Sequence, residues 1–165
     1  MSTPTSVTSL RIHAIEASTL RRLRAQGHDD FGHRWEPRIA HEGGEPLRCC
    51  LRDARPGDSI VLISYAPVGE SAGDAGSYDE VGPVFVHADE CGGPADQDRY
   101  PSEWMTRSQV LRAYRANGTI AGGVRLKPGD DRDDAARRLL ADPEVAFLHS
   151  RNVVYGCYML EIRRD

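Results

Sequence analysis

The stretch Val145–Arg163, which reads VAFLHSRNVVYGCYMLEIR, predicts two antiparallel strands joined by a turn. A two-residue turn at 153–154 would place His149 opposite Tyr158 on one face of this hairpin. That face is apolar at its base, and towards the turn it carries His149 and Arg151. We therefore predict a polar, cationic site at the end of a sheet, where the apolar packing ends.

Outward from this hairpin, the chain shows further short strand patterns and two clear helix patterns. The strand patterns are Leu10–Glu16, 46–54, 58–68, 81–89 and the two arms of 109–126, and the helix patterns are 18–26 and 130–142. The turn sequence Arg55-Pro56-Gly57 predicts that 46–54 and 58–68 form a hairpin. Apolar residues on both sides of 60–63 predict a central strand covered on both faces.

The pair Asn117-Gly118 decides between a hairpin and a helix for residues 109–126. Asn-Gly between two β-capable segments favours strand, tight turn, strand over a helix from Ser108 to Ala116. The prediction for the chain is an α+β fold with a mostly antiparallel sheet of about seven strands and two or three helices. We predict a flexible tail at residues 1–8 and a single domain over residues 9–165.

Composition excludes several classes of protein. Hydrophobic residues make up 39% and charged residues 28%, which is ordinary for a folded domain and excludes full disorder. A net charge of −4 argues against a nucleic-acid partner. The N-terminus lacks a signal-peptide pattern and the sequence lacks a long apolar run, so we expect a cytoplasmic protein without membrane segments.

Polar residues end three of the predicted strands. Tyr65, His87 and the group from His149 to Arg151 each follow an apolar β-pattern. We expect these ends to line one shared concavity, with His87 and His149 as candidate acid or base.

Arg151 is the candidate anion anchor of this site. Its planar guanidinium suits a carboxylate or phosphate, and Asn152 would add an amide donor. Glu80 would either orient an imidazole or neutralise Arg151. An ion pair with Glu80 favours a structural role for Arg151, whereas an open guanidinium favours a ligand.

Four blocks of the sequence resemble a known family. They are LRCCL, YDEVGPVFVHADEC, LRAYRANGTIAGG and FLHSRNVVYGCYMLEIRR. Their order and spacing, over about residues 46–164, resemble the bacterial family named domain of unknown function 1203. The resemblance implies that the blocks belong to one domain, and it implies no reaction and no catalytic residue.

The cysteines raise the alternatives of a metal site and a nucleophile. They are Cys49, Cys50, Cys91 and Cys157. Cys91 and Cys157 form a Cys2His2 set with His87 and His149, but the predicted hairpin places Cys157 on the face opposite His149. Cys49 and Cys50 would also point to opposite faces, because they are adjacent in a predicted strand. Cys91 would lie far from His87 unless the chain turned between them. We therefore expect no zinc, no disulfide and no cofactor.

Two classes of function fit the sequence. The first is a protein with a pocket for a small anionic molecule, in which His87 and His149 carry out acid–base chemistry. The second is a non-enzymatic interaction protein that forms a homodimer through a sheet edge or the loop Gly27–Gly44, with Arg151 and His149 structural. The sequence leaves open whether the protein is an enzyme.

Overall fold

The structure is a computed structural model that describes residues 6–7 and 9–165. The predicted tail at residues 1–8 lies for the most part outside the described residues. None of the helices in the described part of the chain has the length and apolar character that a membrane crossing requires.

The described residues form ten strands and three α-helices. The strands β1 to β10 are Leu10–His13, Arg38–Ile39, Pro46–Leu47, Arg52–Asp53, Ser59–Tyr65, Gly82–His87, Gln109–Tyr114, Ile120–Leu126, Phe147–Asn152 and Tyr158–Arg164. The helices α1 to α3 are Ala17–Gln26, Pro67–Ala72 and Arg132–Leu140, and 3₁₀ turns occupy Gly76–Tyr78 and Ser102–Trp104. The predicted α+β class is confirmed.

The prediction of about seven strands in one sheet is wrong, because the strands form two five-stranded sheets. One sheet has the order β1-β10-β9-β7-β8 and is antiparallel throughout. The other has the order β2-β5-β6-β3-β4, with β3 and β6 parallel. Three of its strands have two residues each, which is too short for an alternation to be read from sequence.

The chain divides into two compact units that match the two sheets. The first unit takes in residues up to His13, Ala66–Glu80 and Asp96–Asp165, and the second takes in Ala14–Tyr65 and Val81–Ala95. Each unit therefore consists of segments that are discontinuous in sequence.

In the first unit, the predicted hairpin around Asn117-Gly118 is confirmed. Strands β7 and β8 pair antiparallel, and Gly118 adopts a φ of 85°, which suits a residue without a Cβ. The predicted helix at residues 130–142 is also confirmed, as α3, which spans Arg132–Leu140. The Asp131 side chain accepts a hydrogen bond from the Asp134 amide at 2.9 Å, which caps the first turn of α3.

Two groups of side chains pack against the antiparallel sheet of this unit. On one face, Val68 and Ala75 pack against Tyr114 and Phe147, whose rings stack with centroids 5.1 Å apart. Helix α3 contacts β7 to β10 and buries Ala136 and Leu140. The sheet is therefore a packed scaffold for the side chains that β9 and β10 carry.

In the second unit, the predicted hairpin around Arg55-Pro56-Gly57 is wrong. Strand β3 pairs with the adjacent β4, and β5 pairs with β2 and β6. The reason is that the turn is held by a different segment: the Gly57 amide donates to the Ala40 carbonyl at 2.7 Å. Strand β5 is also not covered on both faces, since Leu62 is 48% exposed.

The loop between α1 and β2 is organised around a buried carboxylate. Asp29 is completely buried and accepts hydrogen bonds from the amides of Phe31, His33 and Ser64 at 2.8–3.0 Å. Helix α1 ends at Gly27, whose φ of 77° gives the left-handed cap that the sequence predicts.

Candidate functional site

The β9–β10 hairpin has a different register from the predicted one. Tyr158 pairs with Arg151, and after an irregularity between residues 158 and 160, Glu161 pairs with His149. The two-residue turn at 153–154 is wrong, because β9 ends at Asn152 and β10 begins at Tyr158. The extra residue of the bulge reverses which side chains of β10 share the face of His149.

His149 lies inside the first unit, fully buried. Its ring lies 4.9–5.0 Å from the rings of Tyr114, Phe147 and Tyr158, measured between centroids. Its Nε2 atom is 3.2 Å from Ser71 Oγ and 3.3 Å from a Glu161 oxygen. These contacts place the ring proton on Nε2 and leave Nδ1 as an acceptor without a partner among the described residues.

Glu161 is the negatively charged member of this buried cluster. Burial alone would raise its pKa, but hydrogen bonds from His149, Arg163 and Ser71 outweigh burial and lower the pKa to about 2. Arg163 Nε donates to Glu161 at 3.0 Å, and the Ser71 hydroxyl donates to the same carboxylate. Burial lowers the pKa of His149, so the imidazole is neutral beside an ionised carboxylate.

Ser71, His149 and Glu161 do not form a catalytic triad. In a catalytic triad the carboxylate forms a hydrogen bond with one ring nitrogen of the histidine, and the hydroxyl forms a hydrogen bond with the other ring nitrogen. Here both Ser71 and Glu161 contact Nε2. The ring is also fully buried, so Ser71, His149 and Glu161 form a polar cluster within the core.

Arg151 lies further along the same face of β9 and is partly paired. Its side chain is 8% exposed, and its Nη1 atom donates to the Gly156 carbonyl at 3.1 Å. The same Nη1 lies 3.5 Å from Glu80, which also accepts a hydrogen bond from Arg112 at 2.8 Å. The Nε and Nη2 atoms of Arg151 are buried with no hydrogen-bond partner among the described residues.

Asn152 lies on the opposite face of β9 from Arg151, because successive strand residues alternate. Its side-chain oxygen accepts a hydrogen bond from Gln109 at 2.8 Å. Gln109 in turn accepts from Ser150, and Ser150 contacts the Tyr100 hydroxyl at 2.7 Å. The structure therefore places Asn152 in a separate buried network.

The predicted site residues fall into two groups. Glu80, His149, Arg151 and Asn152 belong to the first unit, whereas Tyr65 and His87 belong to the second. The structure brings Arg151 and Glu80 together. Tyr65 is half-buried at the end of β5, and His87 has its own set of neighbours within the second unit.

Three cysteines are among the neighbours of His87. The thiol sulfurs of Cys49, Cys50 and Cys91 and a ring nitrogen of His87 all lie within 4.8 Å of one another. Cys49 and Cys50 lie in the turn of residues 48–51 rather than in a strand, and their sulfurs are 3.9 Å apart. The premise that they point to opposite faces is therefore wrong.

Sequence reasoning missed two residues that the buried cluster uses. A register that pairs His149 with Tyr158 predicts Glu161 on the opposite face, because the sequence carries no clear signal for the bulge that brings Glu161 to His149. Ser71 lies on the six-residue helix α2, in a Gly- and Ser-rich segment whose composition is typical of a loop.

Comparisons with known proteins identify the family and no activity. No curated protein matches the chain. No solved structure matches it. The family model described as "Protein of unknown function (DUF1203)" matches residues 44–164, which is most of the chain and includes His87, Arg151 and the cysteine cluster. The chain therefore belongs to the DUF1203 family.

Proposed function

We propose that this protein binds a small anion, bearing a phosphate or carboxylate group, at the guanidinium of Arg151. The observation that carries the proposal is the pair of buried donors, Nε and Nη2, without a hydrogen-bond partner among the described residues. A buried donor without a partner costs about 1–3 kcal/mol, and more when it is charged. These two atoms form one edge of the guanidinium, which suits two oxygens of an anion.

The local charge supports the same proposal. Two guanidiniums, those of Arg112 and Arg151, share one carboxylate, Glu80. Glu80 is nearer to Arg112, at 2.8 Å, than to Arg151, at 3.5 Å. This group carries an excess of one positive charge, which an anion would neutralise.

The exposure of the surrounding residues supports access to Arg151. The Glu80 side chain is 50% exposed, so it can move into solvent without leaving a cavity. Gly156, the other partner of Arg151, lies in the hairpin loop that carries Val154 and Tyr155, each 85% exposed. Movement of this loop and of Glu80 would open the guanidinium to a ligand.

The proposal is for binding rather than for acid–base catalysis. His149 is fully buried, and its ring is surrounded by aromatic side chains and Glu161. His87 contacts thiols in the other unit. A proton donor or acceptor must come within hydrogen-bond reach of the substrate, and the burial of His149 argues against that role.

Thermal-shift and calorimetric titration with phosphate and with acetate test the proposal. We expect either anion to raise the melting temperature of the wild type and the Arg151→Met substitution to abolish the effect. Glu80→Gln should tighten binding, by about tenfold, because it removes the carboxylate that competes for the guanidinium. Arg138→Met, which removes an 81% exposed arginine of α3, serves as the charge-matched control.

The Glu80→Gln variant keeps the test decisive if Arg151→Met does not fold. Equal or weaker anion binding by Glu80→Gln would overturn the proposal. A melting temperature that stays unchanged in both the wild type and Glu80→Gln would also overturn the proposal. The anion should be present at tens of millimolar, because a specific site for a small ligand has a dissociation constant of about that value at the weakest.

A second candidate function, homodimerisation, is favoured by the exposed edge strand β8. This strand ends the first sheet, and it exposes Ile120 by 39% and Val124 by 36%. Gly122 and Gly123 leave the middle of the strand without side chains that would obstruct another strand. We propose antiparallel pairing of β8 with β8 of a second copy, and sedimentation velocity of the wild type and Val124→Lys tests it. A monomer at all concentrations would contradict this candidate.

A further inference from the structure

The cluster of three cysteines and one histidine in the second unit has the dimensions of a metal site. The Cys49 and Cys50 sulfurs are 3.9 Å apart, and His87 Nδ1 lies 3.4 Å and 3.6 Å from them. A tetrahedral zinc ion, with bonds of about 2.3 Å to sulfur and 2.0–2.1 Å to nitrogen, separates its ligands by roughly 3.8 Å and 3.5 Å. The fourth ligand atom, Cys91 Sγ, lies within 4.8 Å of the other three.

We propose that Cys49, Cys50, His87 and Cys91 bind one zinc ion in a four-coordinate site. The proposal concerns the second unit and does not depend on anion binding at Arg151. The expectation of no zinc rested on placing Cys49 and Cys50 in a strand, which the structure contradicts.

The backbone brings these four residues together from three segments. Cys49 and Cys50 lie in the turn between β3 and β4, where Leu51 has a positive φ of 59°, a conformation that non-glycine residues rarely adopt. His87 ends β6, and the chain bends at residues 88–89 and returns Cys91 to the cluster. A left-handed leucine is retained only where its surroundings fix it, and a bound metal would hold this turn in place.

Hydrogen bonds to the sulfurs suit thiolate ligands. The His87 amide donates to Cys49 Sγ at 3.2 Å, and the Gly93 amide donates to Cys91. Without a metal, the Cys50 thiol and burial raise the pKa of Cys49, and burial raises the pKa of Cys91, so the bound cation has to supply the remaining stabilisation of the thiolates. Amide donors stabilise the negative charge of a thiolate, which is the form that binds a metal. The cysteines are all free in the structure, so none of them is committed to a disulfide.

Asp58 completes the surroundings of His87 as a positioning residue. Its carboxylate lies 3.6 Å from His87 Nε2, the ring nitrogen that faces away from the cluster. Arg52 donates to the same carboxylate at 3.2 Å and also lies 3.2 Å from Nε2. Because a guanidinium only donates, the contact with Arg52 Nη2 makes Nε2 the acceptor in this structure. Metal binding at Nδ1 would move the ring proton to Nε2, which then donates to Asp58 once Arg52 Nη2 shifts away and Arg52 keeps its bond to Asp58 through Nη1. A carboxylate behind a histidine ligand is the usual arrangement in zinc sites.

The ligand set also indicates the metal and its role. Three thiolates and one imidazole form a soft set that selects zinc over magnesium, calcium or manganese. Four protein ligands leave no open position for water or substrate, so the ion is structural rather than catalytic. It would link the β3–β4 turn, the end of β6 and the loop that follows β6.

Native mass spectrometry and cobalt spectroscopy of the reduced full-length protein test the proposal. We expect one zinc per chain, and, for the metal-free protein with Co²⁺, the visible bands and thiolate-to-metal charge transfer of a tetrahedral site. Cys91→Ser should weaken zinc binding in competition with a chelator at least tenfold. Because Cys91 is exposed, its substitution does not open a cavity in the core. Cys157→Ser, which removes the one cysteine outside the cluster, should bind zinc as the wild type does.

Asp58→Asn separates a metal site from a chance grouping of thiols. We expect it to weaken zinc binding by about 10–100-fold, since it replaces the charged carboxylate beside His87 Nε2 with a neutral amide, which is a weaker acceptor. Absence of stoichiometric zinc together with absence of cobalt charge transfer would overturn the proposal. Equal zinc binding by Cys91→Ser and Cys157→Ser would overturn it as well, and both results leave the anion proposal untouched.

Discussion

Glu161 is an ionised carboxylate within the first unit, and three neighbours hold it there. Its side chain is 12% exposed and accepts hydrogen bonds from Ser71, His149 and Arg163. We expect Glu161→Gln to lower the free energy of unfolding by about 2–4 kcal/mol, because it removes a buried charge and leaves its donors poorly paired. Urea denaturation followed by circular dichroism measures this change.

Glu144→Gln is the matched control for this substitution. The Glu144 side chain is 73% exposed, and it lies 4.0 Å from Arg115. Exposed ion pairs of this kind contribute little to stability, so we expect the free energy of unfolding of Glu144→Gln to change by no more than about 0.5 kcal/mol. Similar losses in the two variants would show that the buried cluster contributes nothing special to stability.

The acid sensitivity of the fold should depend in part on His149. Burial lowers the pKa of His149 in the folded state, so the unfolded chain takes up a proton first as the pH falls. The contribution of neutral His149 to the free energy of unfolding is therefore fully present above the unfolded pKa of about 6.5, and it is lost progressively as the pH falls below that value. Glu161, whose pKa is lowered to about 2, adds a further loss below about pH 4.5, the value for an unfolded glutamate.

We expect His149→Gln to flatten the pH dependence of unfolding below about pH 6.5, the pKa of an unfolded histidine. Glutamine keeps a donor towards Ser71 and Glu161 but has no proton to exchange. The wild-type curve should be steeper by at most about 1.4 kcal/mol per pH unit, which is the limit for one proton. Parallel curves for the two proteins would show that His149 does not titrate differently in the folded and unfolded states.

The elements differ in how far their sequence determines them. Helix α3 and the β7–β8 hairpin follow from local signals, an Asp131 cap and an Asn117-Gly118 turn. The β9–β10 hairpin was predicted as an element but not in its register, since the bulge before Leu160 depends on packing rather than on local sequence. The predicted register places Glu161 on the face opposite His149, and for that reason the sequence does not predict Glu161 as a site residue.

Gly118 tests how closely the β7–β8 loop fits against the rest of the first unit. A Cβ at this position would lie 2.9 Å from the Ala75 Cβ and 3.3 Å from Val68 Cγ1. Gly118→Ala therefore combines an unfavourable positive φ with a steric clash. We expect a loss of about 2–4 kcal/mol in the free energy of unfolding, measured by urea denaturation.

Gly129→Ala isolates the backbone part of that loss. Gly129 has the same φ of 85°, but a Cβ there would meet no atom within 4 Å. We expect a loss of about 1 kcal/mol, the cost of a left-handed alanine. If the two alanine variants lose the same stability, the contact of Gly118 with Val68 and Ala75 is not tight.

The division into two sheets could not be predicted from the sequence, for a physical reason. Strands β2, β3 and β4 have two residues each, and their pairing depends on partners distant in sequence, such as Leu47 with Phe85. The cysteine cluster was missed for the same reason. The sequence predicts a strand at Cys49 and Cys50. In the structure these residues lie in the turn of residues 48–51, which brings both sulfurs to His87.

The single domain that the sequence predicts stays a prediction, and the two tryptophans test it. Trp35 lies in the second unit and Trp104 in the first. Because each unit is discontinuous in sequence, the segments of one are connected through the other, and we expect both to unfold in one cooperative transition.

Urea denaturation of Trp35→Phe and Trp104→Phe, followed by the fluorescence of the remaining tryptophan, measures each unit separately. Circular dichroism of each variant supplies its own midpoint, which corrects for any loss of stability caused by replacing the fully buried Trp104. Fluorescence and circular dichroism midpoints that coincide within each variant would confirm one domain, and midpoints that separate would show two units that unfold independently.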